Sequence, residues 1–203
     1  MIFVLRNGIR DIRFISPNAF NYPYGLDILL ENLWKLIKSY GGRLFYGSFP
    51  SEVRPDWVNV ENMSLLWNYT DTRRIVIGAQ TGSERLLKLI NRGHSVDDII
   101  NAVQISIDWG FEVDVDFIMG LPFEKVEDIE RTVEIMEQII NLGGRIHLHT
   151  FMPLPQTPFA SEKAGDIHPL YLEFINRYIG KGKIFGEWER QKIKALKFEK
   201  LLN

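Results

Sequence analysis

Apolar residues along the chain fall into short β-prone runs and longer stretches at helical spacing, and the two kinds alternate. The run Ile75, Val76, Ile77 stops at Gly78, passes through polar Gln80, Thr81 and Ser83, and re-emerges with Leu86, Leu87, Leu89 and Ile90 apolar. That is the pattern of a strand, a polar turn and a helix. Groups at the carboxyl ends of strands in α/β sheets face the ligand, so Gln80 and Thr81 fall where chemistry is expected.

The same unit recurs on both sides. Residues 10–15 (RDIRFI) alternate before Ser16-Pro17-Asn18, a strand entering a turn. From Leu26 to Tyr40 the positions Leu26, Leu29, Leu30, Leu33, Trp34 and Ile37 keep helical spacing until Gly41-Gly42, and a second strand follows at Arg43–Gly47. Its turn carries Ser48, Glu52 and Arg54, and residues 58–69 give a modest helix before the third strand at 73–77. A helix over 96–109, with Ser95 as cap and Asp97 and Asp98 in its first turn, closes at Gly110. The fourth strand, 112–119, enters Gly120-Leu121-Pro122, and the helix over 125–142 ends at Gly143-Gly144. The fifth strand, 145–150, leads into FMPLPQTP, whose prolines hold an extended loop. Helical segments follow around 170–179 and 187–202. Ahead of the first strand, MIFVLRNG has room only for the tail of a helix.

Strands alternating with helices imply parallel pairing with right-handed crossovers. Five strands are too few to close a barrel of eight, so the expected fold is α/β, an open partial (β/α) barrel. The chain is read as one domain, 1–203, with 160–203 a helical C-terminal extension.

Composition narrows the chemistry. The net charge of -2 and pI near 6.1 give no basic footprint for nucleic acid. The opening residues are far short of a signal-peptide core and no later apolar run would span a bilayer, so a soluble, cytoplasmic protein is expected. Cysteine is absent, which excludes an iron–sulfur cluster ligated by cysteines of this chain.

Four histidines are available: His94, His147, His149 and His168. His147 and His149 share a strand face, but no carboxylate or third histidine is near them in sequence, so a structural or substrate-facing role is expected before a zinc site. Asp114 and Asp116 also share a face, as acid/base groups or as a polar layer inside a barrel. The acidic helix 124–137 reads as a solvated face. By residue chemistry alone, Gln80 serves a turn hydrogen bond as well as it serves a ligand, and Arg92 suits a helix C-terminus.

Three stretches together carry a resemblance: GAQTGSERLLKLINRGHS (78–95), VDFIMGLPFE (115–124) and HLHTFMPLPQTP (147–158). In order and spacing they resemble the fourth, fifth and sixth strands of the radical S-adenosylmethionine (SAM) superfamily barrel, near archaeal members with a cobalamin-binding domain ahead of the radical domain. The resemblance extends from about residue 9 to 160. It implies that Gln80 lies at the floor of the SAM pocket and that Arg92 pairs with the SAM carboxylate, for which a guanidinium is suited. It also implies that the backbone of Ile118–Gly120 and of Met152–Leu154 frames the adenine, and that Ser48 lies near the ribose or carboxylate. Where the family has a Gly-Gly-Glu-like turn for the SAM amino group, this chain has Ser16-Pro17-Asn18, which puts Asn18 in that place. Gln156 stands where glycine is expected.

The family's cysteine triplet, which binds three irons of a [4Fe–4S] cluster after the first strand, is missing. So is that strand. Without the cluster the sulfonium bond of SAM is not cleaved to the 5′-deoxyadenosyl radical. The resulting expectation is a truncated radical SAM domain, an Fe–S oxidoreductase-like fragment inactive alone, with the cluster confined to the full-length parent and cobalamin to a missing N-terminal part. The alternatives are a non-catalytic module, or half of a two-chain assembly whose partner supplies the cysteines; an iron-free enzyme using Asp116 and His149 is a third. Losing the first strand would expose the edge at 10–15 and favour self-association there.

Overall fold

The computed structural model describes residues 1–163 and 165–202, and within them the chain alternates helices and strands as the periodicity predicts. It divides into two compact units, Met1–Gly78 with Asp97–Asp114, and Ala79–Val96 with Val115–Asn203. The chain crosses between them within two strands and at the start of one helix.

The first unit begins with a five-residue helix α1 (Ile2–Arg6), in the stretch that leaves room only for the tail of a helix. Strand β1 (Asp11–Arg13) and strand β2 (Arg43–Phe45) pair in parallel, Ile12 beside Leu44, joined by α2 (Leu26–Ser39). Both strands are shorter than expected, three residues each, because Pro17 and Gly47 lead the backbone into turns. Helix α3 (Val60–Tyr69), capped by the Asn59 side chain on the Asn62 N–H, completes the connection to β3 (Arg74–Gln80). Leu5, Phe20, Leu30, Ile37, Leu44, Met63 and Leu66 form the buried core. Each fully buried side chain of this kind contributes roughly 1.5–3 kcal/mol.

Strand β3 does not stop at Gly78 but runs on through Ala79 to Gln80. The glycine there serves packing, since the carboxylate of Glu52 lies 2.5 Å from where a Cβ would sit. Helix α5 (Val96–Asp108) returns the chain to β4 (Glu112–Met119).

In the second unit, α4 (Glu84–Leu89) is capped by Ser83, whose hydroxyl accepts the Leu86 N–H. Helix α6 (Val126–Leu142) ends on Gly143 in the left-handed region, and β5 (Arg145–Thr150) follows. After α7 (Pro169–Tyr178) comes a strand that periodicity does not reveal, β6 (Ile184–Phe185), and then α8 (Trp188–Leu202). The strand order is β3-β4-β5-β6, with β6 parallel to β5 and Phe185 beside His147. Both β4 and β5 alternate. Val115, Phe117 and Met119 are buried on one face of β4 and Ile146, Leu148 and Thr150 on one face of β5, which leaves Asp116, Ile118, His147 and His149 on the other. The α/β architecture thus holds its strands in two sheets, β1-β2 and β3-β4-β5-β6, and no closed barrel forms among the described residues. Among these residues no helix is long and apolar enough to cross a membrane.

Candidate functional site

Within the second unit the ends of β3, β4 and β5 surround a cavity of about 520 Å³. Its wall contains Gln80, Arg92, Ile118, Met152 and Leu154, five of the eight expected site residues, drawn from three separate motifs. Gln80 ends β3 with φ of 71°, a left-handed conformation uncommon for a side-chain-bearing residue. It is almost fully buried, at 7% exposure. Leu86, Leu121 and Phe151 pack together with Ile90, Ile118 and Phe159 around them, and all but Leu86 line the cavity, so most of its wall is apolar.

Thr81, next in the chain, is not part of this wall. Its hydroxyl lies 3.0 Å from that of Thr132 on α6, and it is wholly buried. The neighbouring polar groups are spent in the same way. Ser83 Oγ donates to Asp128 at 2.5 Å, the Lys125 N–H donates to the other carboxylate oxygen at 2.9 Å, and Arg85 pairs with Asp128 as well. Burial would raise the Asp128 carboxyl, but Arg85, Ser83 and the Lys125 N–H outweigh it and hold it below the usual range. The acidic helix is thus not a uniformly solvated face, since Asp128 is its anchor.

Gly120 follows β4 at φ 70°. A Cβ there would lie 2.6 Å from the Asp166 carbonyl oxygen and 2.8 Å from Gly165 Cα, so the position accepts only glycine without displacement of backbone. Its N–H donates to Glu124 Oε2 at 3.1 Å, while Tyr171 Oη donates to Glu124 Oε1 at 2.9 Å. Burial pushes the Glu124 carboxyl up to about 7 despite these two donors, and burial, reinforced by the neighbouring carboxylate, drives the Tyr171 phenol well above its ordinary value.

Ser48 and Asn18 belong to the first unit. Ser48 Oγ is 3.4 Å from Arg13 Nη1. Asn18 is buried, and its Oδ1 accepts the N–H groups of both Phe20 and Arg54 at 3.3 Å. That fixes the amide and leaves Nδ2 without an acceptor among the described residues. A side chain whose oxygen is already committed offers only a donor, which suits a carboxylate or hydroxyl oxygen and not an ammonium group. Gln156, in the proline loop, has φ of 65°, which is why glycine is the expected residue there.

Sequence reasoning did not place His149, Phe151, Phe159 or Gln191 in the cavity wall. Gln191 carries no signal of its own. It reaches the site because its Oε1 accepts the Thr150 N–H at 2.9 Å and its Nε2 lies 3.0 Å from His149 Nδ1. The carboxylate that histidines 147 and 149 lack in sequence is supplied across the sheet. Asp116 Oδ1 is 2.8 Å from His147 Nδ1, and Asp116 Oδ2 is 3.7 Å from His149 Nε2. Burial alone would raise Asp116, but the two imidazoles hold it below the usual carboxylate range.

A guanidinium at one place, apolar side chains over most of the wall, and a volume within the roughly 300–1,000 Å³ of small-molecule sites fit a ligand with an anionic end and a flat ring, as SAM has. A cysteine-ligated iron–sulfur cluster does not fit these residues, since none of the 203 is cysteine.

The chain is 25% identical over 199 residues to an uncharacterised protein of Methanocaldococcus jannaschii, covering 88% of this chain and 39% of that one. It is 26% identical over 212 residues to the threonylcarbamoyladenosine tRNA methylthiotransferase MtaB of Thermotoga maritima, covering 91% and 46%. It therefore spans less than half the length of either relative. Among solved structures it resembles coproporphyrinogen III oxidase HemN of Escherichia coli, a radical SAM enzyme, with TM-score 0.61, 19% identity, and coverage of 84% of this chain and 39% of the other. It also resembles the radical SAM methyltransferase TsrM of Kitasatospora setae, solved with cobalamin and a [4Fe–4S] cluster, with TM-score 0.60, 19% identity, and coverage of 78% and 31%. The profile of the Radical SAM superfamily matches residues 2–136, about two thirds of the sequence, and the chain belongs to that superfamily.

Proposed function

We propose that the cavity of the second unit is the SAM-binding part of a radical SAM domain, and that these 203 residues alone bind SAM without being able to cleave it reductively. The observation that carries this reading is the convergence of Gln80, Arg92, Ile118, Met152 and Leu154 on one cavity although they come from three motifs. Arg92 holds the carboxylate, Gln80 the polar floor, and Ile118, Met152 and Leu154 the adenine, with Gly120 supplying the close turn beside them.

The [4Fe–4S] cluster, where bound, supplies the electron for SAM cleavage. Its three thiolates must come from residues outside these 203, in a longer polypeptide or in a separate chain. Calorimetry with SAM tests the binding half of the reading. Weak, saturable binding that Arg92→Ala reduces is expected, and binding indifferent to that change removes the assigned role. Anaerobic reconstitution with iron and sulfide tests the other half. The chain alone is expected to retain no cluster and to release no 5′-deoxyadenosine from SAM, and formation of either overturns it.

A further inference from the structure

The SAM reading gives no role to Asp116 and His147 and uses His149 only as part of the cavity wall, yet the three together hold a chemistry of their own. One ligand atom from each side chain lies within 4.8 Å of the others, and all three side chains are partly buried, at 16%, 20% and 25% exposure. They stand on the neighbouring strands β4 and β5. The His147 ring is fixed by parallel stacking on Phe185, 4.5 Å between centroids and 5° between planes. The His149 ring is fixed by Gln191.

We propose that Asp116, His147 and His149 bind a divalent transition-metal ion, with zinc or cobalt as the suited class, through two imidazole nitrogens and one carboxylate oxygen. Imidazole with carboxylate is the donor set of such ions, and three protein ligands leave a coordination position for water or a further ligand. Distances separate this from a plain hydrogen-bonded pair. At 3.7 Å, His149 Nε2 is too far from Asp116 Oδ2 for a hydrogen bond, yet it is near the ~3.4 Å that separates two ligands of a tetrahedral ion with ~2.1 Å bonds. The 2.8 Å contact between His147 and Asp116 opens by about 0.6 Å as the ion takes the place of the shared proton.

Gln191 sets the tautomer from which His149 has to be loaded. Because its Oε1 accepts the Thr150 N–H, its Nε2 donates to His149 Nδ1, and the neutral imidazole carries its own proton on Nε2. Ligation through Nε2 moves that proton to Nδ1, where it meets the amide N–H₂. Loading the site therefore costs one hydrogen bond, about a tenfold loss of affinity. A carboxylate at position 191 would accept from Nδ1–H and from Thr150 N–H together, the arrangement that favours imidazole as a metal ligand.

The test uses the tag-free full chain, stripped with a chelator and titrated with Co²⁺ by visible absorption, with Zn²⁺ added in competition. One equivalent is expected to bind with a ligand-field spectrum of low coordination number. His147→Ala and Asp116→Ala are each expected to weaken binding about a hundredfold, and Gln191→Glu to tighten it about tenfold. Circular dichroism and the melting temperature check that each variant is folded, and His147→Gln replaces His147→Ala if the latter is not. Absence of Co²⁺ binding up to millimolar concentration, or binding unchanged in the folded Asp116 and His147 variants, overturns the proposal. Because SAM is absent from the titration, its failure leaves the SAM reading standing, and failure of SAM binding leaves this one standing.

Discussion

Gln80 and Thr81 are adjacent, both polar and both buried, yet they serve different regions of the second unit. Thr81 joins a closed network in which Thr132, Ser83, Asp128, Arg85 and the Lys125 N–H match one another, tying the α4 cap to the start of α6. Gln80 turns into the cavity wall with Arg92 and His149. The difference separates two kinds of buried polar residue. Members of the network act on stability, because each removal strands a buried partner, whereas members of the wall, under the function proposed above, act on ligand affinity.

The largest effect is expected in the network. Asp128→Ala leaves Ser83, Arg85 and the Lys125 N–H without their acceptor, and should cost about 3 kcal/mol, or roughly 6–12 °C in Tm for a chain of this size. A loss below about 1 kcal/mol by urea unfolding would show that the network is not the staple described here.

Gly120→Ala stands at the border between the regions. It forces a Cβ against the Asp166 backbone at positive φ and should cost about 2–3 kcal/mol in the same assay. A neutral Gly120→Ala would mean that the turn beside the cavity is not held as the contact with Asp166 requires.

Glu124 links the two regions through pH. Its carboxyl stands near 7 in the folded chain and near 4.5 when unfolded, so the folded state binds the proton more tightly. Stability from this group is full below about 4.5 and declines as pH rises through about 7, by roughly 2 kcal/mol after allowance for partial exposure. In Glu124→Gln that decline should disappear from the pH dependence of unfolding, and a decline of unchanged size would assign it elsewhere. The smallest effect belongs to Gln156→Gly, which relieves a left-handed glutamine and should stabilise by about 0.5–1 kcal/mol, read as a rise in Tm.

Much of this arrangement was legible along the chain. Strands β4 and β5 match their predicted bounds because alternating side chains between glycine turns leave little freedom in where a strand begins and ends. Helices α2 and α6 follow from apolar spacing ended by glycine. The two-residue β6 and five-residue α1 span too few periods for a pattern to repeat. Gly78 misled for a different reason, since a residue without a side chain reads as a stop, while here its emptiness makes room for Glu52. Gln80, Arg92, Ile118, Met152 and Leu154, singled out by motifs, line one cavity. The Asp116 contact with His147 joins residues 31 apart, and Gln191 meets His149 across 42. Local spacing carries no trace of such pairings, which depend on strand order and on where the last helix returns.

The central claim is that the cavity wall is a SAM site whose cation is Arg92. Calorimetric titration of SAM into the wild-type chain and into Arg92→Ala tests it most directly, with Tm recorded for both. The account predicts that the substitution weakens binding by about 10- to 100-fold, the worth of one charge-assisted hydrogen-bonded contact, while the melting curve shows the substituted chain still folded. Equal SAM affinity in the two folded proteins would contradict it.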